Sequence, residues 1–529
     1  MDDLNWHEQL EVSLDQARRR VHFTVPAGTA WLHVRLSMNR NALVFFHVYN
    51  ERGLLIGDGG FWNHAGPCSL YLSAACATRN ALWHHPEEGM YELLVDTPFG
   101  DADSSQLGES SPLQLYASVR GGSASGEVLP AGVRDSDIQT AATFLPDGFV
   151  SEPEVVWNAE ARFYRGDLHG HTDHSDGHLN GEEAQSVIAS QGLDFMALTE
   201  HNSVPFGQRP RTALMVPAFE LTLSTGHLNI FGLRQSSDAV LLWELWAEAG
   251  YREPDMATVL ARLRGAGRMI SLNHMFLRPW EFTATNVPLS YIDTMEILCD
   301  PTYPDSPAAN DRATAFLDFL WNRGLRLYAV GGSDSHLRPD ERYEQADSPS
   351  VYGDPSTWVY LQGLSLSTLL EGLRLGHSYV SRHLELEIDI AGGRVLPGEP
   401  FDLQALSRDS DADTFSYRVK VTGFPEPLAS AAPSGGNSHP LMYTGVFVLR
   451  GEVIHRVAIS ATQPEATLPD IRDVAPAGDW WLRFGILDWE GHVVSFVNPI
   501  YSGRFAGSDE TIGDLIEDFE RDHDSSPAV

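Results

Sequence analysis

The sequence predicts a multidomain α/β and β protein in which a distorted (β/α)7 barrel stands between two β-sandwiches. Three observations lead to this. Short alternating strands with turn signals fill residues ~20–120 and return after ~385, whereas strands alternate with helical segments from ~161 to ~385. Histidine or carboxylate side chains end nearly every strand of that middle stretch. The 529 residues allow about three domains at the usual ~100–200 residues each.

Taken in order, residues 1–120 form the first predicted domain. Val21, Phe23 and Val25 alternate up to Pro26-Ala-Gly28, and Trp31–Leu36, Ala42–Tyr49, Met90–Val95 and Leu113–Val119 repeat the pattern. Short strands separated by turn residues suggest a sandwich or jelly roll. No constellation for chemistry stands out here, and His47 and His64 read as structural or exposed. Residues 121–160, opened by Gly121-Gly-Ser-Ala-Ser-Gly126, read as a linker.

The middle stretch, 161–385, contains seven expected strands: 161–169, 194–200, 213–219, 228–233, 269–273, 294–298 and 326–330. Helices are expected over 180–192, 254–266, 306–324 and 366–376, the first with Asn180 as N-cap and Glu182 and Glu183 in its opening turn. In a (β/α) barrel the C-terminal strand ends converge at one mouth. The residues at those ends are His169, His171, Asp176, His201, Glu220, His227, His274, Asp334 and His336. On an extended strand His169 and His171 point to the same face. Imidazole and carboxylate donors without thiolates suit Zn, Mn or Fe. Two or three such ions could clamp an ester and activate water, with Glu220 as the natural bridge. Asp334, Glu220 and His336 are the expected catalytic groups, and Asp334 or a ligand histidine would move the proton.

Residues 386–506 alternate again and fit an Ig-like sandwich, with strands at Leu384–Ile390, Ser416–Thr422, Gly445–Leu449, Val453–Ile459, Trp480–Ile486 and Val493–Val497. Phe424–Pro440, rich in Pro, Ser, Gly and Ala, is an expected flexible insert. Residues 507–529 are an acidic tail in which 512–519 could form a short helix and 522–529 are expected to be disordered.

Bulk properties exclude several function classes. The formal charge of −36 and the lack of basic patches argue against nucleic acid as a partner. Lys420 is the only lysine. No apolar run reaches the ~18–20 residues of a membrane span. The acidic Met1–Glu8 segment lacks the basic and apolar regions of a secretory signal, so a cytoplasmic location is expected. Cys68, Cys76 and Cys299 make no CxxC motif, which excludes a thiolate zinc finger.

The barrel stretch resembles the PHP (polymerase and histidinol phosphatase) superfamily. The residues that carry the likeness are His169-Gly-His171, Ser175-Asp176-Gly177, Thr199-Glu200-His201, Glu220, His227, Asn273-His274 and Asp334-Ser335-His336. The phrase Asp167-Leu-His-Gly-His-Thr-Asp-His-Ser-Asp-Gly177 with Thr199-Glu-His-Asn202 resembles the CehA/McbA-like branch, which includes aryl carbamate hydrolases. Gly376–Ser381 is similar to the helix-to-strand exit of these proteins. The resemblance implies a trinuclear site: His169, His171, Glu220 and Asp334 on one ion, Glu220, His227 and His274 on a second, Asp176, His201 and His336 on a third. The proline that usually follows the fifth-strand histidine is replaced by Met275. Arg278, Asn202 and His174 are candidate substrate contacts, and Glu296 reads as a supporting or structural residue. The expected activity is hydrolysis of a small organic phosphate ester by a phosphoesterase, with carbamate or carboxyl ester hydrolysis as the alternative. A non-catalytic scaffold would be expected to lack ligands, and all nine are present. A polymerase-linked exonuclease would need a basic channel. The oligomeric state is open.

Overall fold

The structure is a computed structural model. It describes the chain apart from residues 1–4, 14–17, 40–42, 53–54, 63–67, 74–75, 79–85, 97–113, 124–137, 141–152, 203–211, 234–244, 246–253, 347, 403–414, 425–442 and 525–529. It is multidomain and mostly β, with few helices. The expected insert over 424–440 lies, apart from Phe424, outside the described residues.

The N-terminal strands are β1 (Asn5–Ser13), β2 (Arg18–Val25), β3 (Trp31–Met38), β4 (Leu43–Tyr49), β5 (Leu55–Trp62), β6 (Cys68–Ser73), β7 (Cys76–Thr78), β8 (Gly89–Asp96), β9 (Gln114–Gly122) and β10 (Ile138–Thr140). They pair antiparallel into a six-stranded sheet, β1-β9-β3-β6-β7-β10, and a four-stranded sheet, β2-β8-β4-β5. Alternate residues such as Leu32, Val34 and Leu36 of β3, Phe46 and Val48 of β4 and Leu93 and Val95 of β8 share one core, as a period of two requires. Strand β10 falls inside the stretch expected to be a linker.

The middle strands are β11 (Arg162–Asp167), β12 (Phe195–Met196), β13 (Leu214–Met215), β14 (Ala218–Leu223), β15 (Gly226–Phe231), β16 (Met269–Leu272), β17 (Thr294–Cys299), β18 (Tyr328–Gly332), β19 (Ser356–Leu361) and β20 (Ser378–Ser381). Among the described residues they form no closed barrel. One sheet is β14-β15-β16-β17-β18; β13, β12, β11, β19 and β20 belong to another. Isolated bridges Gly170↔Ser335 and His201↔Glu220 link the two sheets. The expected all-parallel pattern also fails. Only Ser224 and Thr225 separate β14 from β15, so the two must pair antiparallel, because a parallel crossover needs about a dozen residues. Strand β19 likewise runs antiparallel to β11. The expected strand over 213–219 is split between the two sheets, which leaves Glu220 within β14 rather than at a strand end.

Three of the helices start at side-chain caps. In α1 (Gly181–Ser190) the Asn180 side chain accepts from the backbone of Glu182 and Glu183, and Glu183 returns the bond, a full capping box. Asp255 caps α2 (Met256–Gly265). The others are α3 (Ser306–Asn322), α4 (Leu366–Leu375), which ends at Gly376 in the left-handed region, and α5 (Ile512–Asp524). The last runs through Asp522–Asp524, which were expected to be disordered. No helix among the described residues is long and apolar enough to cross a membrane.

The C-terminal strands are β21 (Glu385–Ile390), β22 (Tyr417–Thr422), β23 (Tyr443–Leu449), β24 (Glu452–Ile459), β25 (Glu465–Leu468), β26 (Trp480–Leu487), β27 (Val493–Val497) and β28 (Ile500–Ser502). Here β27 pairs antiparallel with β20, so one ten-stranded sheet runs from β13 to β24. The core is continuous too: Val446, Trp481, Phe496 and Phe519 pack in one cluster with Phe316, Leu320 and Trp321 of α3.

Candidate metal centre

The two middle sheets bring all nine predicted residues together, Glu220 and His227 from within strands β14 and β15 and the others from the loops beyond strand ends. His169 and His171 follow β11, and the His171 amide donates to the Ser335 carbonyl at 3.1 Å, which fixes both histidines against the loop after β18. Close approach dictates the glycines here. A Cβ on Gly332 would lie 2.3 Å from His169 Cβ, and one on Gly177 would lie 2.6 Å from the His171 carbonyl carbon. In the β14–β15 hairpin Thr222 faces His227 and Glu220 faces Asn229, so all four side chains emerge on one face. His274 and Asp334 lie just beyond β16 and β18 with φ of 22° and 48°. Non-glycine residues in the left-handed region are uncommon and concentrate at functional sites.

Glu220 is the centre of the cluster. Its Oε1 lies 3.4 Å from His169 Nε2, 3.2 Å from His227 Nδ1 and 3.4 Å from His274 Nε2. Its Oε2 lies 3.4 Å from His171 Nε2 and 3.0 Å from His201 Nδ1. Asp334 Oδ1 is 3.1 Å from Nε2 of both His169 and His171. Asp176 meets His201 Nε2 at 3.4 Å and His336 Nε2 at 3.3 Å. Five overlapping sets of three or four donors lie close enough to share an ion. Neighbouring sets share His169, His171, His201 or Glu220 and so describe one continuous cluster. His201 belongs to two of the sets. Its Nδ1 is 2.6 Å from Thr222 Oγ1, which leaves Nε2 to face Asp176 and His336.

Electrostatics follows from burial and pairing. Burial alone would lower the His169 imidazole, but the carboxylates of Asp334, Glu296 and Glu220 hold it well above its usual range. The same contest, with Asp176 as the main opponent of burial, raises His336 to about 9. His171 and His227 go the other way. Burial, with the neighbouring His336 and His201, lowers His171 to about 3, and burial lowers His227 to about 4 despite Glu220. Burial would raise Glu220, Asp334 and Asp176, yet the surrounding imidazoles hold all three well below the usual carboxylate range. Ionised carboxylates and neutral imidazoles are the forms that bind divalent ions.

The donor set fits such ions on a further count. His169 Nε2, His171 Nε2 and Glu220 Oε2 are buried and make no hydrogen bond of proper geometry. Buried polar atoms are rarely left so without a function, and these converge on common points. Their supports are in place. Glu296 accepts from His169 Nδ1 at 2.9 Å and from the His274 amide at 3.1 Å. Asn273 Nδ2 donates to Glu220 Oε1 at 2.9 Å. Such outer partners fix ring orientation and tautomer.

Sequence reasoning passed over several of these groups. Asp167, which burial pushes up to about 6, accepts from the amides of His169, Ser333 and Gly353 and ties three site loops together. Glu200 accepts from Thr172 and Ser175. Both lie inside the motif phrases, which was the signal available. Among the candidate substrate contacts, both ends of the buried Asn202 amide are taken by the Thr222 backbone. Arg278 is exposed and pairs with Glu281 at 2.9 Å. His174 is half-buried, with its amide on Thr172 Oγ1. Cys299, buried, places Sγ 3.9 Å from Asp334 Oδ2.

No family model and no curated protein matches the chain. Among solved structures it is similar to a two-domain Bacteroides vulgatus protein containing a predicted PHP-like metal-dependent phosphoesterase, at 13% identity and TM-score 0.33 over 66% of this chain and 100% of that one. A lesion-specific endonuclease from Pyrococcus furiosus aligns at 11% identity and TM-score 0.29 over 47% and 66%. An amidohydrolase from Chromobacterium violaceum with bound sulfate and no metal aligns at 16% identity and TM-score 0.22 over 41% and 97%. At such scores none of these likenesses decides the chemistry of this chain.

Proposed function

We propose that the chain is a metal-dependent hydrolase of the PHP superfamily that acts on a small organic phosphate ester. The observation that carries this is Glu220, a buried carboxylate within 3.4 Å of five histidines contributed by four separate segments. Glu220 with these histidines would hold two of the two or three divalent ions, of Mn, Zn or Fe, that the donor set fits. When bound, such ions polarise an ester and lower the pKa of water. The chain's own residues do the rest. Asp334, held ionised by His169 and His171, accepts a proton from the attacking water. Glu296 and Asn273 hold His169 and Glu220 in the orientation the ligands need. His336 and Asp176 line the outer side of the cluster, His336 being the more exposed of the two. The motif phrase Asp167–Gly177 keeps carbamate or carboxyl ester hydrolysis as the second reading, since it carries the likeness to the CehA/McbA-like branch.

The test is metal analysis with a substrate panel. Protein loaded with Mn or Zn is offered p-nitrophenyl phosphate, a phosphodiester and an aryl carbamate. Two or more ions per chain and phosphoester turnover are expected. Carbamate turnover without phosphoester turnover would promote the second reading. Bound ions with no turnover of any ester would leave a non-catalytic scaffold, and fewer than two ions would sink the multinuclear site. Full activity in Glu220→Ala or Asp334→Ala would remove those residues from it.

A further inference from the structure

We propose that Asp300 is the proton donor to the leaving group in this site. The proposal rests on the hydrolytic reading and assigns a role that none of the nine motif residues fills.

Position comes first. Strands β16, β17 and β18 run parallel and adjacent, so their C-terminal ends lie side by side, ~4.8 Å apart. His274 follows the first and Asp334 the third. Asp300 follows β17, the middle one, directly. Its amide bonds the Gly332 carbonyl at 3.4 Å, and the preceding Cys299 touches Asp334. Asp300 also takes up φ of 34°, the third non-glycine left-handed residue on these three adjacent strand ends.

The surroundings of its carboxyl differ from those of the ligands. Asp176, Glu220 and Asp334 each face two or more imidazoles. Asp300, only 4% exposed, is held by hydroxyls: Thr302 Oγ1 at 3.1 Å and Ser350 Oγ at 3.4 Å, both on Oδ1, with the Tyr343 hydroxyl as a third partner. Two hydroxyls therefore converge on Oδ1, where a protonated carboxyl still accepts. Among titratable groups, Asp334, His336 and Tyr343 act on it. Burial, then the like charge of Asp334, pushes the carboxyl up to about 7, against Tyr343, His336 and Thr302. The site therefore holds two kinds of carboxyl, one held low among imidazoles and one raised among hydroxyls, the division of labour an acid and a base require.

The step balances without another reactant. Water oxygen bonds to the ester centre, and its proton passes to Asp334. The bond to the leaving oxygen breaks, and that oxygen takes the Asp300 proton. Asp300 regains a proton from solvent as Asp334 releases one.

Leaving-group dependence tests this. Asp300→Asn keeps the shape and the Oδ1 acceptor but cannot donate an acidic proton. With the ester class that the native protein hydrolyses, a p-nitrophenyl ester needs little protonation, whereas phenyl and alkyl esters need it. The expected result is a kcat loss of about 10²–10⁴-fold on phenyl and alkyl esters, a loss under about tenfold on the p-nitrophenyl ester, and unchanged metal content. An equal loss on all esters would make Asp300 a positioning residue, and no loss would remove it from the reaction; either overturns the proposal. If Asp300→Asn does not fold, the native protein is assayed over a series of substituted phenyl esters: kcat should depend only weakly on leaving-group basicity, because the leaving oxygen is protonated as it departs, and a steep dependence overturns the proposal. Lack of any native esterase activity would instead fail the hydrolase reading itself.

Discussion

His33 in the N-terminal sandwich and His169 in the middle region are both almost wholly buried imidazoles on or beside β-strands. Their surroundings drive them apart. His33 has Ser69 Oγ at 3.2 Å and two arginines, Arg120 and Arg35, as its charged neighbours. Burial, with those arginines, lowers it to about 4, and it stays neutral. His169 has three carboxylates, and they outweigh burial. Burial makes a histidine costly to charge, and what stands beside it decides whether that cost becomes a site. A sandwich histidine bonded to one serine is a packed polar group. Six histidines around Glu220, Asp334 and Asp176 form a cluster with the donor set of a metal centre.

The largest test of this contrast is Glu220→Ala. It removes the one carboxylate that faces five of the histidines, so those rings should lose their anionic partner and the cluster its central donor. Activity should fall by more than about a hundredfold, beyond the ~10–100-fold typical of outer partners, and bound metal per chain should drop. His33→Ala in the same assays should change neither. Retained metal in Glu220→Ala, measured by elemental analysis of the purified protein, would show that the cluster does not depend on its centre.

A second test uses the protons. His336 lies at about 9 and His169, His201 and His274 are also raised. A raised imidazole contributes stability that is complete below pH ~6.5 and disappears as pH rises through its folded value. Divalent ions entering the cluster must displace these protons. Titrating Mn or Zn into weakly buffered protein at neutral pH should therefore acidify the solution by at least about one proton per chain. Apparent metal affinity should rise with pH toward 9. No acidification would mean that the cluster is already neutral and resembles His33 more than its geometry implies.

The same contrast explains what could be read from the sequence. Most of the candidate ligands were legible because they sit in short local phrases, such as His169-Gly-His171 or Asp334-Ser335-His336, and because the Asn180 cap marks the helix that follows the first phrase. Strand pairing was not legible, because it is decided at a distance. Nothing near Ser378–Ser381 announces that β20 will pair with β27, over a hundred residues later. The β14–β15 hairpin had a local signal, Ser224-Thr225-Gly226, but Glu220 and His227 read more readily as two strand ends than as one antiparallel face. β5 was passed over because Gly57, Asp58, Gly59 and Gly60 look like a turn, and β10 because it lies in a stretch of loop-like composition. Asp300 carried no motif at all. Its role follows from strand order, which places it between His274 and Asp334.

Glu296→Gln is a smaller test, on the orienting partner rather than the ligand. The substitution keeps the size but removes the charge that acts on His169 and weakens the acceptor for the His274 amide. Metal affinity should fall by about 10–100-fold, while the fold is retained. An affinity within about twofold of the native value would show that His169 is held by packing alone, as His33 is.

The smallest effect is expected at His33 itself, as a pH dependence of stability rather than of activity. Its folded value is depressed to about 4 while its unfolded value is near 6.5. Between these values the unfolded chain binds the proton and the folded sandwich does not. Stability is therefore intact above pH ~6.5, declines as pH falls toward 4, and levels off below that. His33→Gln has no proton to gain, so the difference in unfolding free energy between the native protein and the variant, measured in urea at pH 7, 6, 5 and 4.5, should shrink steadily as the pH is lowered. A difference that stays constant would mean that His33 is charged when folded, and the two regions would then differ only in the number of their histidines.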